Sequence, residues 1–283
     1  LFIYTAAARA QDDPAAAGPH RVTSHVLKLT VNGGKRTFFD VRLPDAPGPR
    51  PVVVICHGWA AHAPKFARLA DHLASRGFAA ALFEQPDAWG SSTPRWATQL
   101  EDGLAALARS NDDPQSPLRG RLDLGRLALL GHSYGAAASL VVAGRDPRVD
   151  AVVALAPVNQ PHRGLVLESA GRLRAPLLVM AGQWDWVATN KRHTRAYYRA
   201  ATRAAARQYL EVRLGGHDLY TKGGEKERLT RRYATAWLER FLGVASHAAL
   251  TDGSAARADL AAKRFNLVEV DAPAGLAGSL GAP

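Results

Sequence analysis

A short apolar run, Leu127 to Leu130, ends in Gly131-His132-Ser133-Tyr134-Gly135 and passes directly into the small-residue stretch Ala136 to Leu140. A strand that turns this sharply into a helix holds the intervening serine on a tight, strained turn with its hydroxyl exposed. Glycine on either side meets the steric need, because a side chain at Gly131 or Gly135 would crowd the neighbouring strand or helix. The stretch predicts a strand, an elbow and a helix, and it makes Ser133 a candidate nucleophile. The bland alternative is a serine in a glycine-rich turn. The elements on both sides and the partners described below weigh against it.

The rest of the chain fits around that unit. Val22 to Val31 and Thr37 to Leu43 alternate roughly between apolar and polar, with Asn32-Gly33-Gly34 between them, which predicts an antiparallel hairpin. Pro51 to Cys56 is a continuous run that suits a strand buried on both faces of a mostly parallel sheet. Further strands are expected at 78–83, 151–156, 176–181 and 209–214. Helices are expected at 65–76, 93–109, 136–143, 191–206 and 225–242. Strands and helices in strict alternation predict one α/β domain over residues 22–243, with helices on both faces of its sheet. Residues 1–21 read as an Ala/Asp/Pro-rich lead-in, in which Ala8-Arg9-Ala10 resembles the cleavage site of an export signal. Export, to the periplasm or outside the cell, is therefore expected, the alternative being a disordered N-terminal extension on a cytoplasmic protein. Residues 244–283 form an Ala/Gly-rich extension in which only Ala255 to Phe265 suggests a helix.

Composition narrows the function class. The 283 residues contain one cysteine, Cys56, so no internal disulfide can form. Net charge is +11, yet the arginines are scattered at helix-surface spacing, as in Arg192, Arg195, Arg199, Arg203 and Arg207. No basic cluster is interleaved with aromatics and no zinc-finger or RNA-recognition pattern is present, so a nucleic-acid partner is not expected. No stretch has the length and apolarity of a membrane span. No metal or organic cofactor is expected, and a monomer is favoured.

A serine hydroxyl needs a base to take its proton and a third group to orient that base. After an elbow of this type the acid and then the histidine are expected in loops following later strands. The strand at 176–181 runs into Gly182-Gln183-Trp184-Asp185-Trp186, and the strand at 209–214 into Gly215-Gly216-His217-Asp218. Asp185 is the candidate acid and His217 the candidate base. Asp218 is a rival acid, although adjacency to His217 hinders its reach to that ring. His247 is a second candidate base, and His193 is expected to be solvated. Cys56 ends a buried run without an elbow, which suits an inert thiol. The oxyanion donors are expected to be the backbone N–H groups of Tyr134 and of Trp59, in the loop His57-Gly58-Trp59. Trp59, His132, Trp184 and Trp186 are the candidate substrate-contacting residues. His132 is expected to line the pocket floor, and Trp89 joins the tryptophans in loops at or near the same edge.

These segments together, with Leu73 to Phe78, Leu122 to Arg126 and Ala154-Leu-Ala-Pro157, resemble the α/β-hydrolase superfamily. The similarity is to its dienelactone-hydrolase-like branch, which includes cutinase-type polyester hydrolases, and it spans about residues 51–242. An aromatic after the oxyanion-loop glycine (Trp59) and a histidine before the nucleophile (His132) match the cutinase type. The resemblance implies an α/β-hydrolase fold and a serine esterase acting on small or polymeric esters without a cofactor. Only Pro157 to Ala175 separates the strand after the elbow from the next, so no substantial cap domain is expected. Three features depart from the relatives. Val158 to His162 lacks the aromatic clamp of polyester hydrolases, their C-terminal disulfide is impossible, and dienelactone hydrolases proper carry a cysteine where Ser133 stands. Other acyl hydrolases on the same three residues (lipase, phospholipid acetylhydrolase, amidase or peptidase) remain alternatives, as does a non-catalytic binding protein.

Overall fold

A computed structural model describes residues 13–90, 92–158 and 161–271. Among these residues nine strands make one sheet in the order β1-β2-β4-β3-β5-β6-β7-β8-β9. These are β1 (Val22–Val31), β2 (Lys35–Pro44), β3 (Arg50–Cys56), β4 (Ala79–Phe83), β5 (Leu122–His132), β6 (Val149–Leu155), β7 (Leu177–Gly182), β8 (Arg207–Val212) and β9 (Phe265–Asp271). Strands β3 to β8 run parallel to one another, while the β1–β2 hairpin and β9 close the two edges antiparallel.

The continuous apolar strands follow from the two-faced burial of this sheet. Side chains alternate across a strand, so Val52, Val54 and Cys56 enter one core while Val53 and Ile55 enter the other. The first core is closed by helices α2 (Thr93–Asp112), α3 (Tyr134–Ala143) and α4 (Arg163–Arg172). The second is closed by α1 (Ala67–Ser75) and α6 (Gly224–Phe241), whose Tyr233 and Trp237 are buried. No position in the middle of β3 faces water, and none is polar.

Several elements differ from the sequence expectation. Strand β5 starts at Leu122, because Leu122 and Asp123 already pair with Arg50 and Pro51 ahead of a register shift at Pro51/Val52, and Asp123 to Arg126 break the apolar run that marks only its second half. Among its described residues the connection between β6 and β7 holds one helix, α4, of ten residues. The helix expected at 191–206 is α5 (Thr194–Ala200) only. Residues 244–271, whose structure the sequence leaves unclear, are ordered into further elements. Helices α7 (Ala248–Thr251) and α8 (Ser254–Ala261) lead into β9, which pairs with β8 and buries Phe265 against Tyr233 at 5.2 Å between ring centres. The possible cleavage site at residues 8–10 lies outside the described residues. Among the described residues no helix is long and apolar enough to cross a membrane.

Buried histidines tie stability to pH, and two of them illustrate how. His72 on α1 donates from Nε2 to the Pro14 carbonyl at 2.9 Å, anchoring the lead-in chain, and His132 is buried at the end of β5. Burial, aided by nearby positive charge, pulls His72 down to about 4 and His132 down to about 3. Both rings are therefore neutral in the folded chain at pH values where they are protonated in the unfolded one. Their contribution is fully present above about pH 6.5 and is lost as pH falls toward 4. Each tenfold change in proton affinity is worth about 1.4 kcal/mol. Thermal melting followed by circular dichroism should fall by several degrees between pH 7 and pH 4. A flat profile over that interval would show that these rings titrate as they do in water.

Candidate active site

Ser133 sits between β5 and α3 with φ 56° and ψ −120°. That region costs a non-glycine residue on the order of 1–3 kcal/mol and persists only where the surroundings over-determine it. Here they do. The Ser133 N–H donates to Leu155 O at 2.9 Å, locking the elbow to β6. The backbones beside it approach so closely that a Cβ on Gly131 would lie 2.5 Å from Ala136, and one on Gly135 would lie 2.2 Å from the His57 carbonyl oxygen. Only glycine fits either place.

The loops after β7 and β8 bring the other two candidates to the same edge. His217 Nε2 is 3.0 Å from Ser133 Oγ, and His217 Nδ1 is 2.8 Å from Asp185 Oδ2. Asp185 Oδ1 accepts the N–H groups of Val187 at 2.9 Å and Ala188 at 2.8 Å. An ionised carboxylate can only accept, so Nδ1 carries the proton and Nε2 is left to accept from the serine hydroxyl. The hydrogen bonds thus select one tautomer.

The rival groups point elsewhere. Burial alone would raise the Asp218 carboxyl, but the Lys65 ammonium at 2.9 Å outweighs it and holds the group below its ordinary value. His247 is bonded to Glu239, which also binds Arg76. His193 is not solvated but fully buried at the start of α5, 3.4 Å from Thr189 Oγ1, and burial draws it down to about 4. Helical periodicity shows that one face of a segment is wet without showing which. Burial pushes the Cys56 thiol up to about 12, so it carries no thiolate at neutral pH.

His132 departs from its expected place on the pocket floor. It is only 4% exposed and lies against the His217 ring, 4.7 Å between centres. Its Nε2 donates to the His217 carbonyl at 3.0 Å. It therefore lies packed against His217 and presents little surface of its own.

The N–H groups of Trp59 and Tyr134 have no acceptor among the described residues; Tyr134 directly follows the serine, and Trp59 directly follows Gly58, which packs against it. A Cβ on Gly58 would stand 2.9 Å from Ser133 Cβ, which shows how tightly the two loops meet. Sequence reasoning misses what secures the first loop. The Gln85 N–H donates to His57 Nε2 at 3.0 Å, so His57 Nδ1 donates to the Gly58 carbonyl at 2.8 Å. One buried ring thereby brackets the loops after β3 and β4. The signal available in sequence is only a histidine in an apolar run.

Four tryptophans stand exposed around this edge: Trp59 by 49%, Trp89 by 70%, Trp184 by 56% and Trp186 by 85%. Trp59 is held by its indole N–H, which donates to the Trp89 carbonyl at 2.9 Å, and the two rings meet edge to face at 5.5 Å. Among the described residues no group of three or more His, Cys, Asp or Glu side chains is placed to hold a metal ion.

A parallel sheet with antiparallel edges, helices on both faces and a serine elbow after its fifth strand defines an α/β-hydrolase. The chain belongs to the PET hydrolase-like family, whose model matches residues 8–247, and is by that membership an ester hydrolase. A bis(hydroxyethyl) terephthalate hydrolase of Streptomyces coelicolor is 28% identical over 83% of this chain and 76% of its own length. Cutinase 1 of Thermobifida cellulosilytica is 26% identical over 81% of this chain and 82% of its own. A cutinase of Thermobifida fusca is 26% identical over 81% and 71%.

Proposed function

We propose that this protein cleaves carboxylic esters through an acyl-enzyme formed on Ser133. The observation that carries the reading is the unbroken line of hydrogen bonds from Ser133 Oγ through His217 to Asp185, at 3.0 and 2.8 Å. His217 Nε2 takes the hydroxyl proton as Oγ attacks the ester carbonyl, and then passes it to the leaving alcohol. Asp185 keeps the ring in its tautomer and balances the imidazolium charge. The carbonyl oxygen, negative in the tetrahedral intermediate, is received by the Trp59 and Tyr134 N–H groups. Water deprotonated by His217 then releases the acid and restores the serine.

The rim supports bulky or polymeric esters as substrates. Its indoles offer apolar area without enclosure, since among the described residues the β6–β7 connection adds only α4. The relatives named for cutin and for a terephthalate ester fit the same picture, and so does export, because a polymer cannot enter a cell. A fluorophosphonate probe followed by peptide mass mapping tests the mechanism. Stoichiometric labelling of the peptide containing Ser133 is expected, with loss of p-nitrophenyl butyrate hydrolysis in proportion. Full activity in a labelled protein, or labelling elsewhere, would overturn the reading.

A further inference from the structure

The loops carrying Asp185 and His217 are joined by a relay of side-chain amides that ends on the C-terminal strand. Gln183, two residues before Asp185, accepts the Leu214 N–H on Oε1 at 2.9 Å, where the His217 loop leaves β8. Its other end, Nε2, donates to Asn266 Oδ1 on β9 at 3.0 Å. Asn266 in turn donates from Nδ2 to Glu211 Oε1. Glu211 is 6% exposed and also accepts Asn190 Nδ2 at 2.6 Å and the Tyr209 hydroxyl at 3.1 Å on Oε2. Asn190 closes the far end of the acid loop by donating to the Gly182 carbonyl at 3.2 Å. Arg195, on the neighbouring helix, is paired with Glu269 and not with Glu211.

The relay has only one workable polarity. A carboxylate accepts and a backbone N–H donates, so neither end can reverse. Glu211 forces Asn266 to present its NH₂, which turns the Asn266 oxygen to Gln183. Gln183 must then answer with its own NH₂, which leaves its oxygen for Leu214. Both amides are fixed by groups outside them, and flipping either would set donor against donor and acceptor against acceptor.

We infer that Glu211, Asn266 and Gln183 are positioning residues that set the separation of the acid and base loops, and so make strand β9 part of the catalytic apparatus. The inference rests on the proposed roles of Asp185 and His217 and goes beyond them, since none of the three touches substrate. Asn266→Asp places a second acceptor against Glu211 and breaks the polarity. Glu211→Gln in the same chain restores it, with the new NH₂ donating to Asp and the retained oxygen serving Asn190 and Tyr209.

For p-nitrophenyl acetate, kcat should fall about 10-fold in Asn266→Asp with KM little changed, since small misplacements of catalytic groups cost this much or more. The acidic midpoint of the kcat/KM profile should move downward, because a displaced Asp185 supports the imidazolium less well. The double variant should recover most of both. Assays are run well below each variant's melting temperature, where a role confined to stability would leave kcat and midpoint unmoved. An unchanged kcat and midpoint in Asn266→Asp, or no recovery in the double variant, would overturn the inference. If the parent protein is not labelled at Ser133 the proposed mechanism falls and the inference with it. If it is labelled and the variants behave as the parent, the relay alone falls.

Discussion

Ser133→Ala is expected to lower kcat/KM for p-nitrophenyl butyrate by about 10⁴-fold or more, the scale on which hydrolases lose activity when their nucleophile is removed. The substitution deletes one oxygen from a position whose backbone is fixed by neighbours. The N–H bond to Leu155, the close contacts at Gly131 and Gly135, and the start of α3 do not involve Oγ. The melting temperature should therefore change little. A small residual rate is expected if the Trp59 and Tyr134 N–H groups polarise a bound carbonyl as proposed. A variant that keeps its activity and fold would remove Ser133 from the mechanism and leave the elbow without a chemical purpose.

Asp185→Asn is expected to cost about 10⁴-fold in kcat while leaving substrate affinity nearly intact, as tautomer reversal does in serine hydrolases. Val187 and Ala188 donate to Oδ1, so the asparagine oxygen is held on that side and its NH₂ faces His217. Nδ1 must then accept, the ring proton moves to Nε2, and the serine hydroxyl loses its acceptor. The same two N–H groups that orient the native carboxylate thus guarantee the wrong tautomer in the variant. Raising the pH should not restore the rate, since the defect is the location of a proton and not its number. Recovery at alkaline pH would mean that Asp185 acts only through its charge.

The convergence of Ser133, Asp185 and His217 is legible in the sequence because parallel strands place all their C-terminal ends at one edge. Each candidate follows directly on an apolar run, so strand order and loop position could be inferred without knowing the packing. What escapes is whatever depends on contacts between segments distant in the chain. Strand β9 is invisible since Phe265 to Asp271 mixes polar and apolar residues, and its pairing is decided by the open edge of β8. His193 reads as solvated and is buried, because the helix begins after it and its ring is held between Thr189 and the Tyr197 ring. His132 reads as pocket lining and instead carries the His217 carbonyl, an orientation set by a loop 85 residues further on. Motif spacing reports which elements meet, and leaves the direction of each side chain to tertiary packing.

The separation between core and rim has a bearing on how such a chain acquires new substrates. Trp89, Trp184 and Trp186 are exposed, while the sheet and its helices close their cores without them. Changes at these three positions alter what an ester meets on arrival at little expense to folding, as surface substitutions generally do. The scaffold is in this sense evolvable at one edge and conservative everywhere else. Variants drawn from that edge would explore chemistry without also exploring ways to unfold.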